Sequence, residues 1–362
     1  MKEKLKLAIL FGGQSGEHEV SLMSATSVIN NIDKDKYSLY LIGITKAGNW
    51  MLYDGKPNKI EDGSWEKLAV PIVFPPDPSY GGFFLLSDPS KIYKIDVIFP
   101  VMHGPHAEDG TIQGLFELAQ IPYVGCDVVA SSTGMDKAIS KAIFQSYGLP
   151  QAKYRVILKR DFIEDREKVL SYIEDIFDYP VFIKPANLGS SVGISKCYDR
   201  NQLAEGLENA SKYDRKIIVE EFIDGYEIEC AVLGNNYPKA SVLGQIIPCN
   251  DFYDYEAKYF GDGKSKLIIP APLPKDISDE IQHIAIKAFK ALDCSGLARV
   301  DFFVHRKTND IYLNEINTMP GFTKISMYPK LWEESGIPYT KLMDTLIELA
   351  LDRFNEKHNT YA

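Results

Sequence analysis

Arg299-Val300-Asp301-Phe302-Phe303-Val304 is followed, across His305–Asp310, by Ile311-Tyr312-Leu313-Asn314-Glu315-Ile316-Asn317-Thr318-Met319-Pro320-Gly321. Both runs are apolar and rich in branched and aromatic residues, and the stretch between them has turn composition, so a β-hairpin is predicted. Side chains alternate along a strand, which puts Arg299 with Asp301 on one face and Glu315 with Asn317 on one face. The two faces coincide only if opposed residue numbers sum to an even value. One arginine, two carboxylates and a carboxamide then converge on a half-buried hairpin. Oxygen donors of this kind suit a hard divalent cation, and Mg²⁺ usually takes one or two carboxylates plus substrate phosphates. A strand pair whose polar face simply meets solvent would use the same residues. Spacing alone leaves both readings open.

The 362-residue chain exceeds one usual core, so two or three domains are expected. Its 45% hydrophobic and 25% charged content is that of an ordinary soluble globular protein. A net charge of −10 argues against general nucleic-acid binding, because only local basic patches could offset phosphate repulsion. Cys126, Cys197, Cys230, Cys249 and Cys294 are scattered and form no CxxC pair, so neither a disulfide framework nor a zinc knuckle is indicated. Lys2, Lys4 and Lys6 before Leu7–Phe11 imitate a signal peptide. The apolar run is too short, however, and Gly12-Gly13-Gln14 offers no cleavage pattern, so a buried first strand fits better. No stretch approaches the roughly 18 apolar residues of a membrane span. No membrane insertion and a cytoplasmic location are expected.

Working back from the hairpin, the N-terminal part alternates strand (Leu7–Phe11), helix (Ser21–Asn30), strand (Leu39–Ile44), strand (Val97–Val101) and helix (Thr111–Ala119), the signature of an open parallel sheet. Residues 49–90, rich in Pro, Gly and Asp, read as an elaborated loop or hairpin excursion. A smaller unit follows, with helices at Asp136–Tyr147 and Ile163–Phe177, a strand at Lys153–Leu158 and a hairpin at Val181–Cys197. The remainder has strands at Ile217–Glu221, Glu227–Leu233, Ala240–Ile247 and Lys266–Ile269. It continues with a helix at Ile277–Leu292, the acidic hairpin, and helices at Tyr328–Ser335 and Tyr339–Phe354. Residues 248–264 lack periodicity, and connections of that length are often lids.

Three further segments carry chemistry. Phe182-Ile183-Lys184-Pro185-Ala186-Asn187-Leu188-Gly189-Ser190-Ser191-Val192-Gly193-Ile194 joins two strands through small residues. Such a loop lets backbone N–H groups approach an anion, and Lys184 can place an ammonium on a phosphate. A merely flexible turn is the plainer alternative. The loop is not a Walker A motif; Gly263-Lys264-Ser265 is the nearest imitation, and Lys258 stands where its first glycine belongs. Gly12-Gly13-Gln14-Ser15-Gly16-Glu17-His18-Glu19 links the first strand to a helix without a dinucleotide pattern. Glu17 and Glu19 would repel pyrophosphate but suit an amino group, or simply favour the helix N-terminus. Lys137 could be a second phosphate cation or a solvated lysine. His103-Gly104-Pro105-His106-Ala107-Glu108-Asp109-Gly110 could be a metal cluster, and reads more simply as a polar loop.

Taken together, these segments resemble the D-alanine–D-alanine ligases of the ATP-grasp superfamily. The ordered anchors are GGQSGEHEVS at 12–21, HG…EDGT at 103–111, MDK at 135–137, KPANLGSSVGIS at 184–195, YDYEAKY at 253–259, RVDFF at 299–303 and NEINTMPGFT at 314–323. The resemblance implies an α/β fold, α+β in its C-terminal part. It has three domains: 1–125 for the first D-alanine, 126–214 with the Ser/Gly loop, and 215–362 with the metal site and the lid at 248–264. ATP would lie between the central and C-terminal domains.

By the same resemblance, Asp301, Glu315 and Asn317 would hold two Mg²⁺ ions, with Mn²⁺ able to substitute, and Lys137 and Lys184 would contact phosphates. Backbone from Glu220 and Glu221 to Ile223 would hold the adenine, and Glu227 the ribose. Glu17 would fix the ammonium of the first D-alanine, with Ser190 and Tyr259 completing a trio that closes the lid. Arg299 and the Gly321 backbone would stabilise the oxyanion, Ser326 and Lys258 would meet the second substrate's carboxylate or the phosphates, and His103 would lie near the first D-alanine. The implied reaction is ADP-forming ligation of two D-alanines through an acyl phosphate, for peptidoglycan precursors, by a homodimer. Another ATP-grasp carboxylate–amine ligase, or a D-alanine–D-lactate ligase, is the alternative. The lactate-using relatives lack the Lys-Tyr pair that stands here at Lys258-Tyr259. One departure is Glu221, where some members have lysine beside the adenine.

Overall fold

The computed structural model describes residues 4–189, 192–247 and 266–359. Among them, sixteen strands form three sheets. The first sheet contains β1 (Leu5–Gly12), β2 (Tyr37–Ile44), β3 (Trp50–Tyr53), β4 (Val70–Val73), β5 (Gly82–Leu85), β6 (Asp88–Lys94) and β7 (Val97–Pro100), in the order β6-β5-β4-β3-β2-β1-β7. Leu7 to Phe11 of β1 are fully buried, as a central strand covered on both faces must be. Only β1, β2 and β7 run parallel, and the crossover helix His18–Asn31 joins β1 to β2. The sheet is therefore mixed and not the open parallel sheet predicted. From β2 to β6 each strand pairs antiparallel with the next, so residues 49–90 continue the sheet as an antiparallel meander. Trp65 from this meander is fully buried, its ring 5.0 Å from that of Phe11.

The second sheet is antiparallel, in the order β10-β9-β11-β8, with β8 at Tyr154–Leu158, β9 at Val181–Pro185, β10 at Ser195–Cys197 and β11 at Lys216–Glu221. It covers its own core of Ile157, Leu170, Ile183, Leu207 and Val219. The single helix predicted at Ile163–Phe177 is two, Lys159–Glu164 and Arg166–Glu174. They break at Asp165, whose carboxylate accepts from Lys168 N and so starts the second helix instead of continuing the first. A helix at Val128–Met135, not predicted, is capped in the same way by Asp127.

The third sheet follows the order β14-β13-β12-β15-β16, with β12 at Gly225–Gly234, β13 at Lys239–Ile247, β14 at Lys266–Ile268, β15 at Gly296–His305 and β16 at Ile311–Asn317. One face packs on the helix Lys275–Ala291 through Ile281, Ala285, Ala288 and Phe289, residues at helical spacing. Phe144 of the helix Lys137–Ser146 enters the same core. The helices Met327–Glu334 and Tyr339–Asn359 share a core with the first sheet, where buried Phe322 lies edge-on to Phe99 at 5.7 Å. The first sheet and the two C-terminal helices are thus locked together beside the acidic hairpin.

Candidate active site

β15 and β16 pair as the arithmetic requires, Arg299 opposite Asn317 and Asp301 opposite Glu315. The register then shifts, so that Phe302 faces Leu313 and Asn314 is the extra residue of a β-bulge. The polar quartet keeps one face, while Val300 and Phe302 point into the core. Across β12, Glu229 stands opposite Asp301 and Glu227 opposite Phe303, which brings two more carboxylates to that face.

Cations hold these acids. Arg299 grips Asp301 with both prongs, Nε to Oδ1 and Nη2 to Oδ2 at 2.7 Å each, and its Nε also lies 3.1 Å from Glu229 Oε2. Asn317 Nδ2 donates to Asp301 Oδ2 at 2.9 Å. Lys137 Nζ sits 3.2 Å from Glu315 Oε2 and donates to Leu188 O at 2.9 Å, tying the hairpin to the start of the Ser/Gly loop.

Deeper in, Glu220 at the end of β11 meets two lysines. Its Oε2 lies 2.5 Å from Lys184 Nζ and its Oε1 2.6 Å from Lys141 Nζ. Lys184 Nζ also donates to the bulged Asn314 Oδ1 at 3.2 Å. Burial works against charge on Glu220, yet Lys141 and Lys184 carry its carboxyl down to about 2. Burial would lower the Lys184 ammonium too, but Glu220 and Glu315 raise it above its ordinary value. These residues line a cavity of about 380 Å³ between the second and third sheets, with Phe182, Glu221, Ile223 and Glu227 on its wall. Glu221 pairs through its backbone with Val181, and its carboxylate accepts from Lys153 N at 2.6 Å.

A second cluster lies where the first sheet meets the third. Gly104 adopts φ +79°, and a Cβ there would sit 2.5 Å from Ser15 Oγ and 2.6 Å from Glu17 Oε2. A Cβ at Gly189 would come within 3.2 Å of the same Glu17 oxygen, so two glycines let two loops close on one carboxylate. His103, 3% exposed, donates from Nδ1 to Met319 O at 3.2 Å and has Ser24 Oγ 3.1 Å from Nε2. Burial disfavours its imidazolium, but Glu108 at 3.7 Å, with help from Glu17, raises its pKa. The 319–326 loop is pinned by Phe322 N donating to Ser24 Oγ at 3.3 Å and Tyr339 OH donating to Phe322 O at 2.8 Å. Ser326 Oγ accepts from Thr323 N at 3.0 Å and is the atom a Cβ at Gly321 would strike.

Fourteen of the seventeen residues expected at the site thus fall in two adjoining clusters, whereas Ser190, Lys258, Tyr259 and the whole of the 248–264 lid lie outside the described residues. Lys141 and Glu229 were missed, although both had a signal. Lys141 is four residues after Lys137 on one helix face, and Glu229 two after Glu227 on one strand face.

The donor set fits a hard divalent cation. Asp301 and Glu315 are direct cross-strand neighbours, both half-buried, with a carboxamide beside them. Among the described residues no cluster of three or more His, Cys, Asp or Glu forms a cage. Two carboxylates open to a cavity suit Mg²⁺, which keeps substrate oxygens and water in its shell.

An antiparallel sheet facing a smaller antiparallel sheet across a lysine-lined cavity is the architecture of an ATP-dependent ligase of the ATP-grasp class. Two family models match, D-ala D-ala ligase N-terminus over residues 6–126 and D-ala D-ala ligase C-terminus over 143–348. The chain belongs to the D-alanine–D-alanine ligase family. It is 56% identical over 356 residues to the D-alanine–D-alanine ligase of Thermoanaerobacter pseudethanolicus, covering 98% of this chain and 99% of that one. With that of Acetivibrio thermocellus it is 53% identical over 375 residues, covering 100% of both. Among solved structures, the D-alanine–D-alanine ligase from Coxiella burnetii superposes with a TM-score of 0.88 at 39% identity, covering 99% of this chain and 97% of that one. The VanG D-Ala:D-Ser ligase from Enterococcus faecalis gives 0.87 at 38%, covering 96% and 100%.

Proposed function

We infer that this chain joins two D-alanines into D-alanyl-D-alanine at the expense of ATP, supplying peptidoglycan synthesis. The observation that carries the reading is the opposition of Asp301 and Glu315 beside Lys137, Lys184 and Arg299. Acidic and basic groups meet there, as binding of a metal-bridged triphosphate requires. A carboxylate is a poor electrophile, so the first D-alanine is phosphorylated by ATP, and the amine of the second displaces phosphate from the acyl phosphate.

Lys137 and Lys184 hold phosphate oxygens; the 220–223 backbone, through Glu221, takes the adenine edge, and Glu227 the ribose. Asp301, Glu315 and Asn317 would hold two Mg²⁺ ions, for which Mn²⁺ could substitute, and the metal would supply charge neutralisation to the phosphates. Glu17 receives the ammonium of the first D-alanine, with His103 alongside. Arg299 and the Gly321 N–H face the oxyanion, where removing a fixed donor typically lowers the rate about 10²–10³-fold. Ser326 and Lys258 would meet the second substrate's carboxylate or the phosphates, and Ser190 and Tyr259, with Glu17, would close the 248–264 lid so that water is kept from the acyl phosphate.

Three sheets support domains at 1–125, 126–214 and 215–362. A homodimer belongs to the same reading. No described helix is long and apolar enough to cross a membrane, which agrees with a cytoplasmic enzyme. Phosphate release from ATP, followed with D-alanine, D-alanine plus D-lactate, or neither, tests the reaction. Release that depends on D-alanine, with dipeptide seen by mass spectrometry, is expected. Release indifferent to D-alanine, or a depsipeptide as the main product, would overturn the reading.

A further inference from the structure

We propose that Lys141 is a positioning residue of the nucleotide site: by sharing the Glu220 carboxylate it keeps the Lys184 ammonium available to phosphate. This rests on reading the cavity as the nucleotide site.

Lys137 and Lys141 lie four residues apart on the helix Lys137–Ser146 and so project from one face toward the cavity. Lys137 serves the hairpin through Glu315. Lys141, only 1% exposed, has no place in the chemistry assigned above. Lysine is almost never fully buried unless paired, and its partner is Glu220, itself 3% exposed. The contact is an ion pair poorly aligned for a hydrogen bond, and the Tyr154 ring 5.6 Å from Nζ gives the ammonium a second favourable surface.

The count of charges is the point. One carboxylate would be balanced by Lys184 alone. Burial pulls the Lys141 ammonium below its ordinary pKa and the adjoining Glu220 carboxylate opposes that; protonated, Lys141 gives the buried triad two ammoniums and one carboxylate, a surplus of one positive charge facing the cavity. Surplus buried charge is costly unless something completes it, and an anionic ligand does so. Without Lys141, Lys184 and Glu220 become a closed neutral pair, and phosphate would have to pull Lys184 off its carboxylate unaided.

The test uses calorimetry of the full chain with ADP and with adenosine, in EDTA. Lys141→Met, which keeps the stem and removes the charge, is expected to weaken ADP binding about tenfold or more while adenosine changes by less than about threefold, since only the phosphates feel the lost charge. The KM for D-alanine should stay put. Lys141→Met/Glu220→Gln removes one charge of each sign, restoring the surplus, and should bind ADP within about fivefold of the wild type. Unchanged ADP binding in Lys141→Met, or equal losses for ADP and adenosine, overturns the proposal. Should the single variant not fold, the double variant decides: a tenfold loss of ADP refutes the charge count. Lys184→Met separates the two levels. If it leaves ADP binding intact, the nucleotide reading itself falls; if it weakens ADP while Lys141→Met does not, only the role of Lys141 falls.

Discussion

Glu315→Gln keeps the shape of the side chain and removes one negative charge from the rim of the cavity, so it should move metal-free and metal-dependent binding in opposite directions. In the wild type this carboxylate lies 3.2 Å from Lys137 Nζ and is 24% exposed. A unit charge about 7 Å from a phosphate acts on it by about 2 kcal/mol at an effective dielectric of about 20. Partial exposure trims that to about 1 kcal/mol, which is about fivefold in affinity. Metal-free ADP should therefore bind the variant about fivefold more tightly, because repulsion is gone and Lys137 is released to the phosphates. With Mg²⁺ present the sign reverses: a ligand oxygen has been lost, and turnover with D-alanine should fall by about 10²–10³. Calorimetry with ADP in EDTA and in Mg²⁺, beside a coupled ADP-release assay, reads both effects. Weaker metal-free binding together with near-normal turnover would refute the assignment of Glu315 as a metal ligand.

Glu229→Gln weakens one of the two carboxylates steering Arg299, so kcat should fall about tenfold while the KM for ATP stays within about threefold; an equal loss in both would mean general disruption of the sheet. Glu220 has a folded pKa depressed to about 2 against an ordinary 4.5, so its stabilising contribution is complete above pH 4.5 and is lost as pH falls toward 2. Acid unfolding of Glu220→Gln should accordingly start from lower stability and be shallower across that window than the wild type's, as read by circular dichroism. Phe322→Ala should cost about 3–5 kcal/mol, because a fully buried ring between Phe99, Tyr328 and Tyr339 leaves a cavity at the joint of the first sheet and the C-terminal helices. A change under about 1 kcal/mol in urea would show that the joint repacks freely.

The acidic hairpin was legible because the side-chain period of a strand is two, and that period with an even pairing sum places four polar residues with nothing else known. The bulge at Asn314 was not, since it depends on how β16 settles against its neighbour, and it is the bulge that presents Asn314 to Lys184. Pairing of β12 with β15 joins positions about seventy residues apart, so Glu229 could be placed on the face of Glu227 from sequence but not opposite Asp301. Residues 49–90 read from sequence only as an elaborated loop or hairpin excursion, because strands of four residues, such as Gly82–Leu85, are too short for alternation to register. Lys141 needed only the helical period, and was hidden by the expectation that a lone lysine on a helix faces water.

Gly104 offers a way to test Glu17 without touching it. Alanine there meets two penalties: a left-handed backbone at φ +79°, which disfavours any Cβ by about 1–2 kcal/mol, and collision with Ser15 Oγ and Glu17 Oε2. Gly148, at the turn after the helix Lys137–Ser146, has φ +66° and nothing within 4 Å of its notional Cβ, so Gly148→Ala meets only the first. Both variants should lose similar stability from the backbone. Only Gly104→Ala displaces the carboxylate proposed to receive the first D-alanine's ammonium, so it alone should raise the KM for D-alanine, by about tenfold if the ionic hydrogen bond is lengthened past use. The KM for ATP should be equal in the two. If Gly104→Ala and Gly148→Ala share the same KM for D-alanine, Glu17 does not hold that ammonium, whatever else the turn at 103–104 does for the fold.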